Sequence, residues 1–123
     1  MAAVFTGIDL VEIGRFVKIS PAIRSRFFQR VFTSEELAYI EDSNQRAAGI
    51  FAAKEAVSKA LGCGIGPIKW VDIEISHNPQ KQPGLILHGP AEDHSNSLRI
   101  NNWSISITHT KTMAAAVAVA ISE

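Results

Sequence analysis

The chain has 123 residues, 46% of them hydrophobic and 20% charged, with 12 basic and 12 acidic side chains. That apolar content is enough for one core and one domain over residues 1–123. A formal net charge of zero provides no overall field that would attract nucleic acid. No apolar run approaches the roughly 20 residues needed to cross a bilayer, so no membrane partner is expected. The start, Met1 to Phe5, lacks the basic and long apolar segments of a signal peptide. Cys63 is the only cysteine, which excludes an intrachain disulfide and makes a cytoplasmic location the expectation. Cys63 lies between Gly62 and Gly64 with no histidine near it in sequence, so nothing there would lower its pKa.

In chain order, Val4 to Ile13 reads as a first strand. Val4, Thr6, Ile8 and Leu10 alternate with Phe5, Gly7, Asp9 and Val11. Residues Arg15 to Val31 are expected to hold a short irregular helix interrupted at Pro21. Thr33-Ser-Glu-Glu36 is a capping box that starts a short helix ending near Glu41 or Asp42. A longer helix runs from about Gln45 to Leu61, with Gly62 as its stop. The glycine-rich turn from Gly62 to Pro67 lacks the Gly-Lys-Ser/Thr ending of a P-loop and reads as a plain helix-ending turn.

Val71 to Ile75 alternates as a half-exposed strand. A loop from Asn78 to Gly84 leads to a strand over Leu85 to His88. Pro90 suits the first turn of a helix through about Leu98. Trp103 to His109 and Ala114 to Ile121 are expected to form an antiparallel hairpin. A strand, then helices, then mostly strands predicts an α+β fold with an antiparallel sheet packed against the long central helix.

The long helix poses the chemical question. It is apolar nearly all round, yet carries Lys54 and Glu55 in its middle, and buried ionic groups need a partner or a metal. Asp9 shares a strand face with Phe5, Gly7 and Val11. If the helix packs on that face, Glu55 can meet Asp9, and a hard cation such as Mg²⁺ would relieve their repulsion. The alternative is two separate salt bridges, with Glu55 paired to Lys59 four residues on.

His109 ends the series Trp103, Ile105, Ile107 on one strand face. It is either a histidine at the core edge or a ligand contact. Thr108, Thr110, Lys111 and Thr112 around it could hold a phosphate. Between Gly14 and Ser34 stand Arg15, Lys18, Arg24, Arg26 and Arg30 with no acidic residue. This is either a solvated face or a dock for an acidic partner.

Five segments occur in one order over nearly the full length: Gly7-Ile-Asp-Leu-Val-Glu-Ile13 with Arg15; Phe32-Thr-Ser-Glu-Glu36; Ala48-Gly-Ile-Phe-Ala-Ala-Lys-Glu-Ala56; Trp70-Val-Asp-Ile-Glu-Ile75; and Ser104-Ile-Ser-Ile-Thr-His-Thr-Lys111. This pattern resembles the holo-[acyl-carrier-protein] synthases, the short type of phosphopantetheinyl transferase. The resemblance implies transfer of 4′-phosphopantetheine from coenzyme A to a serine of apo acyl carrier protein, in support of fatty acid biosynthesis. Adenosine 3′,5′-bisphosphate would be the leaving group.

By this resemblance Asp9 and Glu55 hold Mg²⁺, and Lys54 serves catalysis or cofactor binding. His109, Thr110 and Lys111 contact the nucleotide phosphates, while Arg15, Arg24, Arg26 and Arg30 face the acidic carrier protein. It also implies a homotrimer with each active site between two subunits. Two departures stand out: Ile50 where relatives often carry arginine, and Lys81-Gln-Pro83 where Gly-Lys-Pro is usual. A coenzyme A or carrier-protein binding module without turnover is the competing reading.

Overall fold

The structure is a computed structural model describing residues 2–123. Strand β1 (Ala3–Glu12) is followed by helices α1 (Gly14–Lys18), α2 (Pro21–Val31), α3 (Ser34–Ile40) and α4 (Asn44–Leu61). A 3₁₀ turn (Trp70–Asp72) leads into β2 (Ile73–His77) and β3 (Pro83–Leu87), then α5 (Gly89–Ser97), β4 (Ile100–His109) and β5 (Met113–Ser122). The antiparallel strands form two sheets, a three-stranded one in the order β1-β5-β4 and a two-stranded one of β2 and β3.

The expected elements are present with shifted ends. The segment after Gly14 divides into two helices because Ser20 caps α2 and Pro21 occupies its first turn. The capping box forms: Glu36 N–H donates to Thr33 Oγ1 at 3.2 Å, and Thr33 N–H donates to Glu36 Oε1 at 2.8 Å. Gly62 ends α4 in the left-handed region at φ 78°. The strand expected from Val71 begins only at Ile73. Lys69 N–H donates to Asp72 Oδ2 at 2.9 Å and winds Trp70–Asp72 into the 3₁₀ turn instead.

The long helix packs directly on the three-stranded sheet. Small residues make the approach possible. Ala114, Ala116, Ala118 and Ala120 of β5 are all buried on the face toward α4, and Ala52, Ala53, Ala56 and Ala60 are buried on the helix. At Gly7 the backbones nearly touch, and a Cβ there would lie 1.8 Å from the Ala56 carbonyl oxygen. The helix is buried on nearly every side, because α3 and β2 also pack against it. The opposite sheet face is apolar and open, with Val4 66%, Ile8 69% and Leu10 64% exposed beside Val117 and Ile121.

Candidate active site

Contact at Gly7 sets the geometry of the two acids. Asp9 lies two residues further along the same face of β1, so it also points toward α4. Ala56 sits over Gly7, which places its neighbour Glu55 beside the strand. The Asp9 side chain is only 17% exposed, and Glu55 is half-buried. The Glu55 carboxyl is held above its usual range, first by burial and second by repulsion from Asp9. Lys59 and Arg15 oppose that rise. Four charged groups therefore converge: two carboxylates, a lysine and an arginine.

Lys59 does not take Glu55 as its partner. Its ammonium donates to Asp9 Oδ1 at 3.2 Å and to the Ile8 carbonyl at 2.9 Å. The separate Glu55–Lys59 salt bridge considered from spacing is thus replaced by a bridge to the strand. The Glu55 carboxylate accepts no hydrogen bond among the described residues, so its oxygens remain free for a ligand. No cluster of three or more His, Cys, Asp or Glu side chains occurs among the described residues. A pair of acids with one free carboxylate suits Mg²⁺, which binds one or two carboxylates and fills its shell with water and substrate phosphate. It does not suit the closed four-ligand cage of a structural zinc.

Lys54 lies apart from the acid pair. Expected beside the acids, it points the other way, because consecutive helical residues lie about 100° apart. Its side chain has no exposed surface. The ammonium donates to Glu36 Oε1 at 2.7 Å, to the Trp70 carbonyl at 3.0 Å and to the Ile73 carbonyl at 2.6 Å. All three of its donors are engaged. Glu36, which also caps α3, accepts from Ile75 N–H at 2.7 Å through Oε2. Lys54 therefore ties α3, α4, the 3₁₀ turn and β2 together, and in this arrangement it touches neither carboxylate of the pair.

His109 stands at the end of β4, exposed, with Thr110 and Lys111 exposed beyond it. Thr110 Oγ1 accepts from Thr112 N–H at 3.2 Å and Met113 N–H at 3.0 Å, which fixes the β4–β5 turn. His109 lines a cleft of about 460 Å³ at the start of α4, together with Arg46, His77 and Lys81. Neither Asp9 nor Glu55 borders this cleft.

The basic segment is divided as well. Arg15, beside Glu55, borders an apolar cleft of about 350 Å³ with Phe16, Ile19, Ile23 and Phe27. Arg24 donates to Asn44 Oδ1 at 2.8 Å and lies 4.0 Å from the Phe28 ring centroid, so it is half spent on structure. Arg26 and Arg30, four residues apart on α2, share one exposed helix face.

Residues 6–118 match the family model described as the 4′-phosphopantetheinyl transferase superfamily. A holo-[acyl-carrier-protein] synthase of Thermoanaerobacter sp. is 41% identical over 120 residues, covering 95% of this chain and 86% of that protein. The chain belongs to the holo-[acyl-carrier-protein] synthase family.

Solved structures of other holo-[acyl-carrier-protein] synthases share the fold. That from Helicobacter pylori, in complex with coenzyme A, superposes with a TM-score of 0.84 at 35% identity, covering 94% of this chain and 98% of its own. That from Bacillus anthracis, in complex with coenzyme A (3′,5′-ADP), gives 0.80 at 31% identity with both chains fully covered. The α+β fold and the transferase class expected from the sequence motifs both stand. Four residues of the two sites escaped the motif reading: Lys59, Glu36, Arg46 and Tyr39. Lys59 was visible four residues after Glu55, and Glu36 was visible as a helix cap; their tertiary partners lie about 20 to 50 residues away in the chain and leave no local pattern.

Proposed function

We propose that this chain transfers 4′-phosphopantetheine from coenzyme A to a serine hydroxyl of apo acyl carrier protein, releasing adenosine 3′,5′-bisphosphate. The observation that carries the reading is the Asp9–Glu55 pair, flanked by Lys59 and Arg15. The serine oxygen attacks the phosphorus that bears pantetheine, the bond to the nucleotide phosphate breaks, and the serine proton is released. Catalysis of such a step is mostly positioning and neutralisation of phosphate charge.

Asp9 and Glu55 would hold Mg²⁺, which when bound supplies that neutralisation and orients the pyrophosphate. Asp9 is itself held in place by Lys59, and Glu55 presents a free carboxylate. Lys59 and Arg15 add positive charge beside the phosphates. Lys54, with its three donors engaged, acts by fixing α4 rather than by proton transfer. Proton removal from the serine then falls to Glu55 or to water at the surface. His109, Thr110 and Lys111 would contact the nucleotide phosphates.

A site shared by two protomers reconciles the separation of His109 from the acids. The open apolar sheet face supports such an assembly: Val4, Ile8 and Leu10 form a continuous exposed strip with Val117 and Ile121, and such patches mark contact surfaces. In the homotrimer, the acid pair of one subunit meets the His109 cleft of the next. Arg15 together with Arg26 and Arg30 would face the acidic carrier protein, while Arg24 contributes mainly by holding α2 to Asn44. The holo carrier formed in this way serves fatty acid biosynthesis in the cytoplasm.

The test is mass spectrometry of apo acyl carrier protein incubated with this protein, coenzyme A and MgCl₂, with and without a chelator. A gain of one phosphopantetheine only when the metal is free supports the reaction and its metal dependence together. Binding of coenzyme A with no mass gain for any carrier would favour the non-catalytic module.

A further inference from the structure

The acid pair is balanced in charge by the side chains around it. Asp9 and Glu55 bring two carboxylates, and Lys59 and Arg15 bring two cations. A divalent cation entering this group leaves it with an excess of positive charge. Either one of the two side-chain cations withdraws, or an anion arrives with the metal.

Lys59 is the cation placed to withdraw. Its ammonium donates to Asp9 Oδ1 at 3.2 Å, long for a charge-assisted bond, and to the Ile8 carbonyl at 2.9 Å. The Lys59 side chain is 53% exposed, and ion pairs that open to solvent contribute little to stability. Ile8 is exposed and β1 is an edge strand of its sheet, so water can take over the carbonyl when the ammonium leaves. Lys59 stands in the last turn of α4, and its four-carbon stem can swing without moving the helix.

Lys54 is the opposite case on the same helix. Its side chain has no exposed surface and its three donors are engaged. The lysine beside the acids is therefore the mobile one. It occupies an oxygen of Asp9 that a metal bound by both acids would need, and it leaves Glu55 open.

We propose that Lys59 is an exchangeable positioning residue: its ammonium keeps Asp9 in place, yields the carboxylate to the entering divalent cation, and thereby ties metal binding to coenzyme A binding. Each phosphate of the coenzyme A pyrophosphate carries a negative charge, so its arrival with the metal restores the balance. Without that anion, the metal must expel Lys59 into water. Metal and coenzyme A therefore bind cooperatively, with Lys59 as the link between them. This inference deepens the proposed function and rests on its assignment of Asp9 and Glu55.

The test uses the full chain with Mn²⁺ as the probe. Free Mn²⁺ is read by electron paramagnetic resonance, with and without coenzyme A. In the wild type, coenzyme A should tighten Mn²⁺ binding at least about tenfold. Lys59→Met should bind Mn²⁺ alone at least about threefold tighter than the wild type, and coenzyme A should add correspondingly less. Lys59→Arg should restore the wild-type pattern in part. A Lys59→Met variant that binds Mn²⁺ alone no more tightly than the wild type would overturn the exchange.

Loss of any nearby positive charge favours a metal to some degree, so a second measurement follows the ammonium itself. Acetylation by N-hydroxysuccinimidyl acetate at fixed pH is read by peptide mass, with exposed Lys18 as the internal standard. Saturating Mn²⁺ should raise the labelling rate of Lys59 at least about threefold, and Asp9→Asn should raise it without metal. Unchanged labelling of Lys59 with Mn²⁺ bound overturns the proposal. The transfer reaction is judged separately by the mass of the carrier, so a wild type that modifies the carrier without a change in Lys59 labelling loses only the exchange. Absence of Mn²⁺ binding by the wild type, with and without coenzyme A, would overturn the metal pair and the exchange together.

Discussion

The Lys54 ammonium lies 2.7 Å from Glu36 Oε1, and neither side chain has any exposed surface. Burial pushes the Glu36 carboxyl up and the Lys54 ammonium down, and each is the other's main opposing influence. Lys54, the residue before Glu55, is thus a girder between two layers. Lys54→Met leaves the Glu36 charge buried and unpaired, and should cost about 3–5 kcal/mol in urea unfolding. The double variant Glu36→Leu/Lys54→Met should recover much of that loss. If Lys54→Met retains its stability while losing activity, Lys54 is a catalytic group after all.

Gly7 sets the distance between Asp9 and α4. A Cβ at this position would lie 1.8 Å from the Ala56 carbonyl oxygen, a rigid backbone atom. Gly7→Ala must push the helix away, at a cost of about 1–3 kcal/mol for overpacking. It should also lower turnover by separating Asp9 from Glu55. Gly14→Ala is the control, since no atom lies within 4 Å of its added Cβ. Equal melting temperatures for the two variants would contradict the close approach.

A pH effect follows from His77. Burial first, and the charge of Arg46 second, hold its imidazolium form below the usual 6.5, and its Nδ1 is buried without a partner. The unfolded chain therefore binds a proton that the folded chain refuses. Stability from this group is present above pH 6.5 and lost as the pH falls below it. His77→Phe keeps a ring against Tyr39 and removes the titration. Its urea midpoint should fall less than that of the wild type between pH 7 and pH 5.5; parallel losses would show that His77 is not the cause.

Much of this arrangement was legible in the residues. The alternation of Val4 to Val11, the Thr33–Glu36 box and the apolar run ending at Gly62 are local patterns, so β1, α3 and α4 stand within a residue or two of their expected ends. The side of α4 on which a charge falls was not legible. Lys54 and Glu55 are neighbours in sequence, and only the packing of α3, β2 and β1 around the helix sends one inward and the other to the surface. The spacing of Glu55 and Lys59 suggested a helical pair, but Asp9, 50 residues away, takes the lysine. Likewise the four arginines formed one group in sequence, whereas the helical turn of α2 sends Arg24 to Asn44 and leaves Arg26 and Arg30 on another side.

The open sheet face should control assembly. Ile8 is 69% exposed in the isolated chain and lies opposite Val117 in the register of β1 and β5. Ile8→Asp places a charge in the middle of that strip, where desolvating it is costly. Sedimentation or light scattering should show trimers for the wild type and monomers for this variant, with transfer activity lost alongside. A wild type that is monomeric and fully active would refute the shared site.

The most direct measurement pairs activity with metal binding in Glu55→Gln. Wild-type protein, coenzyme A and MgCl₂ should convert apo acyl carrier protein to the phosphopantetheinylated form, as read by intact mass. Magnesium should also raise the melting temperature of the wild type in the presence of coenzyme A. Glu55→Gln should fold, lose the mass shift by at least a hundredfold in rate and lose the magnesium-dependent rise. Near wild-type turnover in Glu55→Gln, with the same response to magnesium, would contradict the assignment of Asp9 and Glu55 as the metal pair.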